Sequence, residues 1–330
     1  LGICIFSIVL LSFMSVFYFH TKKKEGTALK LGCHEVFRQV KGIKNRGGAM
    51  EETLTVTKVL NNNVIITTCE LNKETVVIHK GIGFGKKQGD QILVKDVDKV
   101  FTLKDEKEQE QYKMLVPFLD ESFIGLMNDI ILYIQRSVKG DLNEHIHVAL
   151  TDHIAFTISR IKRGLALKNP FLQETKTLYP REFEIAKEVV KMINEHTNLE
   201  LPETEIGFIA LHIHSAETFK SISEINRHSQ LIHQLITLIE QSLNVTIDKE
   251  GLNYLRLVRH LRFTIERVKK GEAFEEPTQL KRVLQKDYPL CYNLAWKVIK
   301  VMQQSLKRPV FEAEAVYLAI HLQRLSSKSE

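Results

Sequence analysis

One helical unit is written twice in the last two thirds of this chain. His153-Ile-Ala-Phe-Thr-Ile-Ser-Arg-Ile-Lys-Arg-Gly164 reappears as His260-Leu-Arg-Phe-Thr-Ile-Glu-Arg-Val-Lys-Lys-Gly271, shifted by 107 residues. Tyr179-Pro180 recurs as Tyr288-Pro289, and Glu205 with His212 recurs as Glu314 with His321, each shifted by 109 residues. Solenoid repeats run roughly 20 to 50 residues, so a period this long is that of a duplicated domain. Both copies keep a pair of histidines. Imidazole accepts and donates a phosphoryl group, which gives a duplicated two-histidine helical domain a regulatory reading.

Ahead of the duplication the pattern changes. Leu54 to Thr57 alternates with period two, and Val64-Ile-Ile66, Thr75 to Ile78 and Val100 to Leu103 are short β-branched or aromatic runs between turn signals. The turns fall at Asn61-Asn62-Asn63, Asn72-Lys73 and Gly81 to Gly89. A segment this short makes a minimal core, so its antiparallel sheet is expected to close against a second copy. The polar run Lys104 to Gln111 marks the boundary and starts a helix. Helical stripes such as Ile206, Ile209, Ala210 and Ile213 follow.

The chain's formal charge of +6 comes from residues 1–49, which hold eight Lys/Arg and two Asp/Glu; the remainder carries 38 of each sign. Global basicity is therefore no argument for nucleic acid, and any such claim needs a local site. The four cysteines are widely separated, with no C-x-x-C, which fits a reducing cytoplasm and neither a zinc ribbon nor a disulfide framework. Residues 1–19 are uncharged and precede Lys22-Lys23-Lys24, the outline of a membrane anchor. We read residues 1–49 instead as a non-native extension. Gly47-Gly48 can be encoded by a ribosome-binding sequence just before Met50, where translation is expected to begin. A membrane-anchored regulator is the alternative.

Lys58-Val-Leu-Asn-Asn-Asn63 and Lys80-Gly-Ile-Gly-Phe84-Gly-Lys-Lys make a candidate RNA surface, with amides for base edges, Phe84 for stacking and lysines for phosphates. On composition alone the plainer reading is an asparagine turn and a glycine-rich loop. The glycines match neither G-x-G-x-x-G nor the P-loop pattern. A single helical histidine is ordinarily a packed neutral residue, but recurrence in two copies favours function for His153, His212, His260 and His321. Glu205 and Glu314 lie two turns before His212 and His321 on the same helical face, where a carboxylate is expected to orient the ring. Asp152 precedes His153, whereas Arg259 precedes His260, so the two pairs are expected to differ in how they are phosphorylated. His145-x-His147 and His212-x-His214 diverge on a helix and cannot share an ion, and no metal or other cofactor is implied.

Together with Thr151-Asp-His153-Ile-Ala-Phe, Gly207-Phe-Ile-Ala-Leu-His212 and Tyr254-Leu-Arg-Leu-Val-Arg-His260, these motifs resemble the BglG/SacY family of transcriptional antiterminators, nearest its glucose-type members. The resemblance runs from about Thr53 onward. It implies a multidomain α+β protein: a small antiparallel β co-antiterminator RNA-binding domain at 50–108, dimeric, then two homologous all-α helical bundles, phosphotransferase-system (PTS) regulation domains at 109–220 and 221–330. It further implies that Lys58, Asn63, Lys80, Gly81 and Phe84 contact an antiterminator hairpin in leader mRNA of sugar-uptake genes, and that His153, His212, His260 and His321 accept phosphate from a glucose-specific enzyme II and from the carrier HPr. Lys80 stands where several relatives use arginine, losing a planar fork. Such a protein is not an enzyme. A phosphotransfer enzyme would need a substrate pocket, and a DNA-binding activator would need a helix-turn-helix before Lys104, where strands are expected.

Overall fold

The computed structural model describes residues 53–326 apart from 69–73, 94–100, 104, 166, 273–274 and 276, so the anchor-or-extension question at residues 1–49 lies outside the described residues. Five strands form one antiparallel sheet: β1 (Thr53–Asn61), β2 (Val64–Thr68), β3 (Glu74–Ile78), β4 (Gln91–Leu93) and β5 (Phe101–Leu103), in the order β4-β1-β2-β3-β5. Strand β4 was not expected. Three residues are too few to show alternation, and its pairing of Leu54 with Ile92 depends on the loop before it folding back along β1.

Alternation decides the two faces of the sheet. Val64, Val76 and Ile78 point one way and Ile65 and Val77 the other, as the pairing of Val64 with Ile78 and Ile65 with Val77 requires. One face of the sheet finds a second layer in this chain: Val64, Val76, Ile78 and Leu103 pack on Tyr112, Ile124 and Val148 from the helices that follow and on Val116, just past the end of the first of them. Those helices are α1 (Glu106–Leu115), α2 (Glu121–Ser137) and α3 (His145–Lys162). Asp105 caps α1 by accepting from the Lys107 and Glu108 amides, and Asp120 caps α2 by accepting from the Phe123 amide. Helix α1 runs continuously through the position where the sequence reading divides the first two domains.

The first helical bundle continues with α4 (Leu172–Leu178), α5 (Pro180–Thr197) and α6 (Glu203–Thr218); the second comprises α7 (Ile222–Leu243), α8 (Leu252–Lys270), α9 (Thr278–Asp287), α10 (Pro289–Leu306) and α11 (Glu312–Ser326). The repeated sequence becomes repeated structure. Gly164 and Gly271 follow α3 and α8 with φ of 73° and 71°, a left-handed stop that glycine tolerates without strain. Pro180 and Pro289 occupy the first turn of α5 and α10, where a missing N–H costs nothing. Each bundle has its own apolar core, and Leu178, Tyr179 and Leu211 of the first join that of the second. Arg262 ties the seam, donating to the Leu178 carbonyl at 2.9 Å and lying 5.6 Å from the Tyr179 ring centroid. Among the described residues no helix is long and apolar enough to cross a membrane.

Candidate functional site: an RNA-facing loop and two histidine pairs

The loop from His79 to Asp90 is held against the sheet by backbone bonds at both ends. Gly83 donates to the Asn62 carbonyl at 2.9 Å, and Gly89 donates to the Val56 carbonyl at 2.8 Å. Gly81 has φ of 79°, and its amide is accepted by the Asn63 side-chain oxygen at 2.8 Å. Gly83 is the glycine the sequence reading did not single out. A Cβ there would lie 2.2 Å from the Asn61 carbonyl oxygen, so no larger residue fits the crossing of loop and turn. Phe84 projects from the loop at 76% exposure, and Lys58, Lys80, Lys86 and Lys87 are all exposed. Asn63 sits differently from the base-edge contact expected of it. It is only 7% exposed; its oxygen holds Gly81 and its amide nitrogen donates to the Glu121 carbonyl at 3.0 Å.

In the first bundle, α3 and α6 bring His153 and His212 together with ring centroids 4.8 Å apart and planes inclined by 37°. In the second, α8 and α11 bring His260 and His321 to 4.7 Å and the same 37°. Beneath each pair lies one buried carboxylate. Glu205 accepts from Thr157 Oγ1 at 3.1 Å and from Arg160 Nη2 at 2.5 Å. Glu314 accepts from Thr264 Oγ1 at 2.7 Å and from Arg267 through both Nε and Nη2 at 2.7 Å. Thr157, Arg160 and their counterparts escaped the sequence reading, although their recurrence inside the repeat was the available signal.

The carboxylates do not orient the histidines expected of them. His153 Nε2 lies 3.2 Å from Glu205 Oε2, though poorly aligned for a hydrogen bond, and His260 Nε2 lies 4.0 Å from Glu314 Oε2. The ring each carboxylate addresses is thus on the facing helix. Seven residues along one helix is a rise of about 10.5 Å, too far for Glu205 to reach His212.

Burial, helped by the charge of His153 and His145, holds His212 well below the usual imidazole range. Burial, with His321 and Arg267 adding to it, lowers His260 to about 4, and burial with Arg324 and Arg256 lowers His321. These rings are neutral near pH 7, which leaves a lone pair for attack on phosphorus. The surroundings of the two pairs differ. Arg256 and Arg324 replace Ala149 and Ser215 of the first copy, whereas the first copy has His145, whose Nδ1 lies 2.8 Å from Glu108 on α1. Asp152 and Arg259, the flanking residues on which the sequence reading relied, are both exposed.

The depressed imidazoles set a pH dependence. As pH falls, an unfolded histidine takes up its proton near 6.5, before the buried one can, so the unfolded state binds more protons and stability declines. Stability is expected to be level above about pH 6.5 and to fall toward pH 4, His260 alone contributing about 3 kcal/mol of the loss. Urea midpoints at pH 7.5 and pH 5 check this; a midpoint unchanged or higher at pH 5 would contradict it.

A sheet with an exposed aromatic loop, joined to two bundles that each present a pair of facing histidines, defines an RNA-binding regulator controlled by phosphorylation. The CAT RNA binding domain family matches residues 54–110, and the PRD domain family matches residues 128–216 and 233–325. The PtsGHI operon antiterminator of Bacillus subtilis (strain 168) is 58% identical over 279 residues, covering 84% of this chain and 99% of that protein. The GlcA/glcB genes antiterminator of Staphylococcus carnosus (strain TM300) is 41% identical over 83% of this chain and 96% of its own length. The solved structure "Crystal structure of GlcT CAT-PRDI" shares 59% identity, covering 50% of this chain and 99% of that one at a TM-score of 0.49. The chain belongs to the BglG/SacY family of transcriptional antiterminators, in its GlcT-type branch. It acts by RNA-binding antitermination under PTS phosphorylation.

Proposed function

We propose that this protein binds an antiterminator hairpin in the leader mRNA of glucose-type PTS uptake genes and that phosphoryl transfer to His153, His212, His260 and His321, from a glucose-specific enzyme II and from HPr, sets whether it does so. The carrying observation is that both copies present the same imidazole pair, at 4.8 and 4.7 Å, over the same Glu-Thr-Arg cluster. A phosphoryl group brings about 1.5 to 2 negative charges, and in the first bundle Arg160 is already committed to Glu205 while the His145 ring is engaged with Glu108. Phosphate at this pair must therefore draw one of them away. His145 reaches Glu108 on α1, and Gln109 of the same helix donates to the carbonyls of Glu74 and Leu103, which links the first bundle to the sheet. We place the protein in the cytoplasm, where PTS donors work, as a homodimer whose partner meets the sheet or the histidine faces. Phosphopeptide mapping with and without the inducing sugar tests the assignment; phosphate found on none of the four histidines would refute it.

On the RNA side, Lys58, Asn63, Lys80, Gly81 and Phe84 form the contact face, with the Asn63 side-chain oxygen also holding Gly81 in place. Phe84→Ala is expected to weaken hairpin binding by about 1–3 kcal/mol, the scale of one base stacked on one aromatic ring, without changing thermal stability, since the ring touches solvent. Lys58→Ala should lower the salt slope of binding by about one. Filter binding across a salt series gives both numbers, and an unaltered affinity in Phe84→Ala removes the loop from the site.

A further inference from the structure

The turn between β1 and β2 carries three hydrogen-bond donors beside the RNA loop, and one residue of the first helical bundle takes them all. The Asn62 amide and its side-chain nitrogen donate to the Glu121 carboxylate at 3.3 and 2.6 Å, and the Asn63 side-chain nitrogen donates to the Glu121 backbone carbonyl at 3.0 Å. Asn62 also supports the loop itself, its carbonyl accepting from Gly83 next to Phe84. Carboxylate oxygens and a carbonyl are the same kind of acceptor that a phosphodiester or a base edge offers an asparagine.

We infer that Glu121 masks the RNA face: the first turn of α2 and the RNA hairpin compete for the donors of Asn62 and Asn63, so the contact described here lowers the protein's affinity for RNA. The inference rests on the RNA-binding reading of this face. Competition of this kind makes coupling reciprocal, so a change in the first bundle that withdraws the start of α2 raises RNA affinity, and bound RNA favours the withdrawn state. The contact suits release. Glu121 is exposed, and α2 is capped by Asp120 rather than by Glu121, so the helix survives loss of the carboxylate.

The test uses the full chain carrying Glu121→Ala, Glu121→Gln or Asp129→Asn, with the leader hairpin titrated by filter binding at fixed salt. Asp129 is an exposed acid on the same helix, and its substitution controls for the loss of one negative charge. Glu121→Ala should bind about five- to tenfold more tightly, as expected when a charge-assisted bond no longer competes, with Glu121→Gln intermediate and Asp129→Asn within about twofold of the parent. Amide exchange at Asn62, read without RNA, should speed up in Glu121→Ala. Affinity in Glu121→Ala that is unchanged, weaker or matched by Asp129→Asn overturns the masking role and leaves the RNA face standing. A hairpin bound by none of the proteins overturns the face itself and the inference with it.

Discussion

Glu205→Ala should cost the first helical bundle about 3–5 kcal/mol, the loss typical of breaking a buried ion pair from one side. Glu205 is fully buried, and Arg160, at 6% exposure, has two further guanidinium nitrogens with no hydrogen-bond partner. Removing the carboxylate leaves that cation with nothing to bond inside the bundle and deprives Thr157 of its acceptor. Burial by itself would raise the Glu205 carboxyl, yet His153 and Arg160 together hold it below the usual range. The charge is therefore present at neutral pH and its loss is felt there. Glu314→Ala is the internal comparison. Arg267 is about 30% exposed and can turn to water when its partner goes, so the second bundle should lose clearly less. Calorimetry should show the first bundle's transition falling by more than about 10 °C, given 4–8 °C per kcal/mol in a domain of this size. Equal losses in the two variants would show that burial of the arginine does not control the cost.

These differences mark what the sequence could disclose. Duplication, the four histidines and the strand-to-helix change at Lys104 are local or periodic patterns, and the folded chain has them where periodicity put them. The partner of Glu205 is a different kind of fact. Along its own helix Glu205 shares a face with His212, but contact is decided by how α3 lies against α6, and that crossing belongs to packing rather than to spacing. Thr157 and Arg160 follow His153 at helical intervals that read as an ordinary face; only their return as Thr264 and Arg267 carried information. Glu121 had no signal at all. It is an exposed acid at a helix start, 59 residues from Asn62, and its meaning arises only when the sheet lies against the helices.

The histidines of the first bundle should give the largest functional change, with opposite signs for removing and mimicking phosphate. If phosphate on this pair holds the protein off, His153→Ala and His212→Ala should each make read-through independent of sugar, raising it without inducer on the order of tenfold, a coupling free energy within the usual allosteric range. His212→Asp should do the reverse, and incompletely, because a carboxylate adds one negative charge where phosphate adds up to two. His145→Ala discriminates the route: it frees Glu108 from the histidine face, and should blunt the effect of His212→Asp while leaving RNA affinity of the unphosphorylated protein unchanged. Equivalent changes at His260 and His321 should matter less. Arg256 and Arg324 stand close enough to depress His321, and they are placed to pair with a phosphate there, so added negative charge is absorbed locally rather than passed on. A terminator reporter assayed with and without sugar, alongside thermal melts of each variant, separates signalling from packing. Read-through that declines in step with melting temperature in every alanine variant, and never escapes sugar control, would show that these imidazoles are core residues and that the duplicated pairs serve stability alone.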